Sequence, residues 1–450
     1  MKYDVLTGFA RADITPPKGV TVPGYMELRY AETILDPLEV TCLAIRKDGK
    51  TAYIYSVDDL HLARSYTDRC KEEITKATGA DPDAIFIHAT HTHTSPLFDF
   101  EDERLKENDR EYITAMLDRF VDVTKAAIAD LKPSKMGMAF SKAEKVAFNR
   151  RYLMKDGSYK TNPGVNNPDI VECAGVVDEI VNVVRFTRED GSDIVLANFG
   201  NHPDVIGGDQ ISADWPGFTR RIFERAVDNC RCIFLNGAQG DINHVNVHPV
   251  GGDLNGMFND FDDVTRGYAH SRHMGNVMAG AILSVYEKVE YVDVDSIAYR
   301  QEEFPIPANK PTPDEMPEAR YIDEMDKAGR SAELPYKGMM LTTKLGEARR
   351  KLELEDAPDN FMMLFSAIRI GKVALFGIPG EPFVGIGIGL KETKGYDMVM
   401  PCCLVNANDG YFPMAENYAE GGYEAATSRF KPGVAELIVE QGSAMLEGML

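Results

Sequence analysis

The sequence predicts an α/β protein of mixed layered β-sheets flanked by helices, folded as a single composite catalytic domain over residues 1–450. Three observations predict it. Short β-rich runs alternate with stretches of helical period. Glycine, proline and aspartate turns punctuate them without any internal repeat or low-complexity tract. The 450 residues, 44% hydrophobic and 27% charged, are ordinary for a globular chain and enough to bury a large core without disulfides.

Val40 to Ile45 and Ala52 to Val57 are strand-like runs joined by Lys47-Asp48-Gly49, a hairpin signal. Arg64 to Thr78 has helical character and meets a stop at Gly79. Ala84 to Ile87 is a short apolar strand leading into a histidine-rich run, and Arg110 to Leu131 reads as a long amphipathic helix closed by Pro133. Glu179 to Thr187 and Ile194 to Phe199 read as paired strands around Glu189-Asp190-Gly191. A helix over Gly217 to Val227, a buried strand over Arg231 to Leu235, an acidic aromatic loop over Phe258 to Asp263 and a helix from Thr265 to about Tyr286 follow. Residues 305–335 carry Pro305, Pro307, Pro311, Pro313 and Pro317 among charged residues, which predicts a polar surface excursion or lid. Strands resume at Met362 and are expected to extend the same sheet system.

The formal charge of −22 disfavours nucleic acid and anionic membrane surfaces as partners, since both carry dense negative charge. No apolar stretch approaches the ~18 residues of a spanning helix, and the N-terminus lacks the apolar core of a secretion signal. Seven scattered cysteines with no CxxC pair suit reduced thiols. A cytoplasmic protein acting on a small-molecule substrate is expected.

Three of the nine histidines lie in His88-Ala-Thr-His91-Thr-His93, just after a predicted strand. In extended backbone, residues i and i+2 face one side, so His91 and His93 would converge on one centre. Neutral imidazole is a preferred ligand of zinc and similar metals. The bland alternative is a hydrogen-bonded histidine pair near a surface loop. His202 also follows a strand, and so does the loop Gly237-Ala-Gln-Gly240-Asp241; strand ends are where α/β proteins place ligands. Glu381 follows a strand and a glycine turn, and a tyrosine-rich segment runs from Tyr411 to Tyr423-Glu424. By composition these last two are a solvated turn residue and a packing loop.

Taken in order, these segments resemble the neutral/alkaline non-lysosomal ceramidases, zinc amidases that cleave the N-acyl bond of ceramide. The resemblance runs through Gly8 to Pro16, Gly24-Tyr25, Ala89 to His93, Asn149-Arg150, Asn201-His202-Pro203, Gly240-Asp241, Pro379-Gly380-Glu381 and Tyr411 to Tyr423-Glu424. It implies Zn2+ held by His91, His202, Glu381 and Tyr411. It also implies that His93, Arg150 and Tyr423 surround the scissile bond, with Gly24 and Asn243 at substrate-binding positions. Zinc would lower the pKa of bound water to about 7, and an arginine or tyrosine donor would stabilise an oxyanion.

The sequence also departs from the family. Thr94-Ser95-Pro96 stands where Ser-Gly-Pro is usual, and Asn243 where a substrate-recognising serine is usual. Asn408 and Gly421 replace an expected tyrosine and glutamine. No C-terminal immunoglobulin-like domain is expected, and the substrate is expected to be more soluble than ceramide. Two further readings are a hydrolase or lyase acting on a sugar acid or other carbohydrate-like anion, suggested by Arg150-Arg151, and a catalytically inactive metal-binding homologue. His244, His248, His270 and His273 are expected to be solvated or capping residues, His88 a structural neighbour, Trp215 a core residue, and Asp204 and Asp214 either orienting groups for His202 or turn residues.

Overall fold

In the computed structural model, residues 3–260 and 264–450 are described. Eight strands form the path of a large sheet: β1 (Val5–Asp13), β2 (Glu39–Lys47), β3 (Lys50–Val57), β4 (Ile85–Ala89), β5 (Lys132–Lys142), β6 (Ile180–Arg188), β7 (Ile194–Phe199) and β8 (Arg231–Asn236). Their order is β8-β7-β6-β5-β1-β2-β3-β4, and β9 (Glu290–Val292) adds alongside β5. Only the two end pairs, β3 with β4 and β7 with β8, are parallel. A second sheet of β10 (Ile297–Pro307), β11 (Asn360–Ile370), β12 (Val373–Gly377) and β13 (Met398–Cys402) packs against the first. The strands after residue 360 are therefore a separate layer, not an extension of the first sheet.

Alternation along the strands explains this layering. Leu43, Ile45, Ile54, Phe86, Leu196 and Leu235 face the second sheet and share a core with Ile368, Leu375 and Met400. Their sequence neighbours Cys42, Ala44, Tyr55, Ile85 and Ile87 face outward into a different core, beneath α1 (Arg64–Thr78) and α2 (Glu107–Ala129). At the other end Val195, Ala197 and Phe234 pack under α3 (Asp214–Ala226) and α4 (Tyr268–Tyr286). Strands buried on both faces read as continuous apolar runs, as these do. Truncating such a leucine to alanine costs about 2–5 kcal/mol.

The hairpin between β2 and β3 turns at Asp48 and Gly49, both at positive φ (48° and 79°), which matches the right-handed twist of the flanking strands. Helix α1 ends where expected, with Gly79 left-handed at φ 73°. Helix α2 starts earlier than the apolar period suggests, because the Asp109 carboxylate accepts the Lys106 N–H at 2.9 Å. Helix α4 starts later. Thr265–Arg266 is a short strand paired with Phe258–Asn259, so the helix begins at Tyr268. Residues 261–263 of that acidic loop lie outside the described residues.

The proline-rich stretch divides in two. Pro305 and Pro307 end β10, an edge strand on which a missing N–H is tolerated. Beyond them α5 (Met316–Lys327) and α6 (Met339–Leu354) form a helical pair with a small core of its own, including Ile322, Met325 and Leu345. Two helices of the C-terminal part, α7 (Val384–Lys391) and α8 (Val434–Glu447), cover the outer face of the second sheet, with the short helical turns Ala415–Glu420 and Tyr423–Thr427 between them in sequence. Among the described residues no helix is long and apolar enough to cross a membrane.

The feature that builds the site is curvature of the large sheet. β3 and β4 lie at the end of the strand order opposite β8, yet Ser56 Oγ of β3 donates to the Phe234 carbonyl of β8 at 2.6 Å. The Asn236 N–H donates to His88 Nε2 at 2.9 Å. The strand ends of β4, β7 and β8 therefore open onto one place.

Candidate metal centre

His91 lies just past β4 with φ 76°, a left-handed conformation uncommon for a side-chain-bearing residue. Surrounding bonds hold it there. Its N–H donates to the Asp59 carbonyl at 2.7 Å and its Nδ1–H to the Leu60 carbonyl at 2.9 Å. His202 is fixed in the same way beyond β7, with Nδ1 2.9 Å from the Gln239 carbonyl and 3.0 Å from that of Ile242. Both rings therefore carry their proton on Nδ1 and turn an unprotonated Nε2 inward.

What those nitrogens meet is Glu381, whose Oε2 lies 3.2 Å from His91 Nε2 and 3.2 Å from His202 Nε2. Glu381 is buried (6% exposed) rather than a solvated turn residue. It is placed by a short parallel pairing in which it is the register partner of Tyr411. Gly240 is required beneath it, since a Cβ there would sit 2.5 Å from the Glu381 carbonyl oxygen. His93 completes a second, overlapping triple: His91, His93 and His202 offer ring nitrogens all within 4.8 Å of one another. The His91 and His93 Nε2 atoms are 3.3 Å apart. This convergence does not come from strand alternation, because β4 ends at Ala89 and His91 is left-handed.

The electrostatics suit a cation. Burial, aided by Arg150, pushes His202 down to about 4, so the ring is neutral at neutral pH. Burial works to raise Glu381, but His91 and His202 beside it hold the carboxyl well below its usual range. His91 Nε2, His202 Nε2 and Glu381 Oε2 then converge on one point, with Arg150 Nη1 and Gln239 Nε2 as further hydrogen-bond donors, each at 3.4 Å. Such a concentration of ligand atoms is one that a cation would satisfy. Imidazole with carboxylate is a donor set that zinc accepts. The phenol of Tyr411, raised by burial and by Glu381, lies close to the group.

Arg150 is buried, and against the cost of burial it keeps its charge because Glu424, Tyr411 and Glu381 together favour the cation. Its Nε donates to Glu424 at 2.6 Å, its Nη2 to the Gly240 carbonyl at 2.7 Å, and its Nη1 lies 3.4 Å from His202 Nε2. Its guanidinium also stands 5.6 Å from the Tyr411 ring centre, and the Tyr411 and Tyr423 rings are 5.7 Å apart. Arg151, by contrast, reaches Glu420 at 2.8 Å and the Gly421 carbonyl at 3.0 Å. The arginine pair is thus engaged by internal partners, which removes the basis for reading it as an anion fork.

Gly24 runs at φ 109° against His93, where a Cβ would come within 3.0 Å of Nδ1. Asn243 is buried and donates to Asn162 Oδ1 at 2.9 Å. Asp204 binds Arg266 at 3.0 Å, accepts from the Tyr25 hydroxyl, and lies 3.7 Å from His93 Nδ1. Asp214 accepts the backbone N–H groups of Val205 and Ile206 and pins the loop after His202. Trp215 is fully buried and donates to the His202 carbonyl at 3.2 Å. His88 is buried, as a structural neighbour should be. His244 corrects the expectation of a surface residue: it is 1% exposed, with Nε2 2.6 Å from the Thr265 carbonyl. Sequence reasoning missed Glu424, Gln239 and Arg266 as supports. The first two adjoin or lie within motifs it did single out, whereas Arg266 carries no local signal.

Comparison with known proteins follows the same lines. No protein-family model matches the chain. A neutral ceramidase of Mycobacterium tuberculosis (strain ATCC 25618 / H37Rv) is 23% identical over 422 residues, covering 80% of this chain. The chain spans 63% of the length of that curated relative. The crystal structure of neutral ceramidase from Pseudomonas aeruginosa superposes with a TM-score of 0.72 at 18% identity, over 99% of this chain and 75% of that one. This chain has the neutral ceramidase fold. A ceramidase complexed with C2 gives a TM-score of 0.71 at 17% identity, over 99% of this chain and 76% of its own. The likeness to neutral ceramidases thus extends from sequence to the layered architecture.

Proposed function

We propose that the chain is a zinc-dependent amidohydrolase cleaving the N-acyl bond of a substrate more soluble than ceramide. The observation that carries the reading is the meeting of Glu381 Oε2 with two Nε2 atoms at 3.2 Å, each ring locked by a carbonyl on its far side. His91, His202, Glu381 and Tyr411 are the proposed ligands. Bound zinc supplies a Lewis acid and brings the pKa of its water to about 7.

The protein's own groups divide the remaining work. His93 is neutral because burial holds its pKa well below the ordinary value, so its Nε2 can accept a proton and return it to the leaving nitrogen. Asp204, held ionised chiefly by Arg266 against the effect of burial, faces Nδ1 and offsets the charge that His93 then carries. In this reading Arg150 and the Tyr423 hydroxyl bind the carbonyl oxygen as negative charge develops on it. Burial keeps Tyr423 protonated and therefore a donor.

The test is amine release from a panel of short-chain N-acyl compounds by zinc-loaded protein, before and after chelation. Turnover that chelation abolishes and zinc restores is expected. A zinc-loaded protein that leaves every N-acyl compound intact overturns the reading.

A further inference from the structure

Beside the donor cluster lies a cleft of about 960 Å³, with Tyr423 in its wall. One side is α6, and the other is the segment from Tyr159 to Val165. Its charge runs against that of the chain. The protein carries −22 overall, whereas the charged residues lining this cleft are Lys160, Lys337, Lys344 and Arg350 against Glu315 and Glu347. Both acids already have cations: Glu347 binds Lys344 at 2.9 Å and Lys351 at 2.6 Å, and Glu315 binds Lys351 at 3.0 Å. Lys160 and Lys337 have no ion-pair partner among the described residues. Arg350 is only 8% exposed, yet its two hydrogen bonds go to carbonyls, from Nε to Ala426 and from Nη1 to Asn309, each at 2.8 Å. Its Nη2 has no partner among the described residues. Glu347 and Glu315 reach it through space alone. A buried guanidinium whose hydrogen bonds go only to carbonyls, in a wall with two further cations that have no ion-pair partner among the described residues, is a receptor for an anion.

We infer that this cleft binds an anionic group on a polar substrate, so that the amide presented to the donor cluster belongs to a carboxylated or phosphorylated N-acyl compound. The inference rests on the proposed amidohydrolase reading for the bond cleaved, though not for the ligand bound. A hydrocarbon chain would meet Val165, Met339 and Met340 in this lining, but across Lys160, Asn162 and Lys337 it would strip water from groups that gain nothing in return. An anion there replaces lost hydration with charge-assisted hydrogen bonds.

Two matched pairs of probes test the inference on the full-length, zinc-loaded protein: N-acetylalanine against the uncharged N-acetylalaninamide, and N-acetylglucosamine 6-phosphate against N-acetylglucosamine. Calorimetric binding and amine release are both read. At least one anionic member is expected to bind tenfold or more tightly than its neutral partner, and the better pair distinguishes carboxylate from phosphate. The preference should weaken with salt and fall at least fivefold in the double variant Lys160→Glu/Lys337→Glu, whose side chains hold no other element in place. Equal binding within both pairs, or no binding at all, overturns the inference, as does a preference that survives the double variant. Hydrolysis without anion preference sinks the cleft and leaves the amidohydrolase standing. Anion preference without hydrolysis of any N-acyl compound does the reverse.

Discussion

At the donor cluster every imidazole is buried, and His91 and His202 each have Nδ1 bonded to a backbone carbonyl. In the adjoining cleft, among the described residues, Lys160 and Lys337 lack ion-pair partners and Arg350 hydrogen-bonds only to carbonyls. The cluster is held from outside by β4, β7, β8 and the Glu381 turn, so its geometry is set before anything binds. The cleft is walled on one side by α6, which packs with α5 around a small core of its own and is not part of either sheet. The contrast teaches where to look for chemistry and where to look for choice. Changes in the cluster should affect all substrates alike, whereas changes in the cleft should alter the ranking of substrates.

The largest expected effect in the catalytic apparatus is at Arg150. Removing it alone would strand the fully buried Glu424 carboxylate, a cost of about 3–5 kcal/mol in stability. The double variant Arg150→Met/Glu424→Gln avoids that. Its kcat/KM should fall on the order of 10²–10³-fold for every substrate, with metal content unchanged. A loss confined to anionic substrates would instead place Arg150 with the cleft and break the division.

A smaller effect is expected at Asp204, which reaches the reaction only through His93. Asp204→Asn should lower kcat roughly 10–100-fold with little change in KM, and should shift the pH–rate profile. An unchanged profile would make Asp204 a structural partner of Arg266 and Tyr25 alone.

The smallest effect concerns stability. Burial raises the Asp214 carboxyl to about 7, against 3.8 for the ordinary group. The folded state therefore binds this proton more tightly than the unfolded state. Stability from this group is present in full at low pH and is lost as pH rises through about 7. Wild type should accordingly lose about 2 °C more in Tm than Asp214→Asn between pH 5 and pH 8, with no change in metal content. Parallel melting curves for the two proteins would show that Asp214 is already ionised in the fold.

Much of this contrast is legible in the sequence, unevenly. Elements whose ends are marked by local chemistry are read to the residue, such as α1 with its left-handed Gly79 and the hairpin at Asp48-Gly49. The separate second sheet is not legible, because β11 and β12 have the same apolar character as strands of the first. The nearness of His91, His202 and Glu381 is reached through resemblance. No spacing encodes the sheet curvature that brings β4 to β8. The inward turn of His91 likewise depends on a left-handed backbone held by Asp59 and Leu60, whereas period-two reasoning assumes extended chain. His244 is misjudged because its neighbours are polar; only the fold reveals the Thr265 carbonyl waiting for it. The cleft is least legible of all, since its cations come from segments almost 200 residues apart and none forms a motif.

The central claim is that His91, His202 and Glu381 form a metal site, and zinc content per chain tests it most directly. Protein purified without added metal and measured by plasma emission should carry close to one zinc per chain. His91→Ala, His202→Ala and Glu381→Gln should each lose most of it while keeping the wild-type circular dichroism spectrum. Wild-type protein that holds no zinc even after loading, or three folded variants that retain it, would contradict the account.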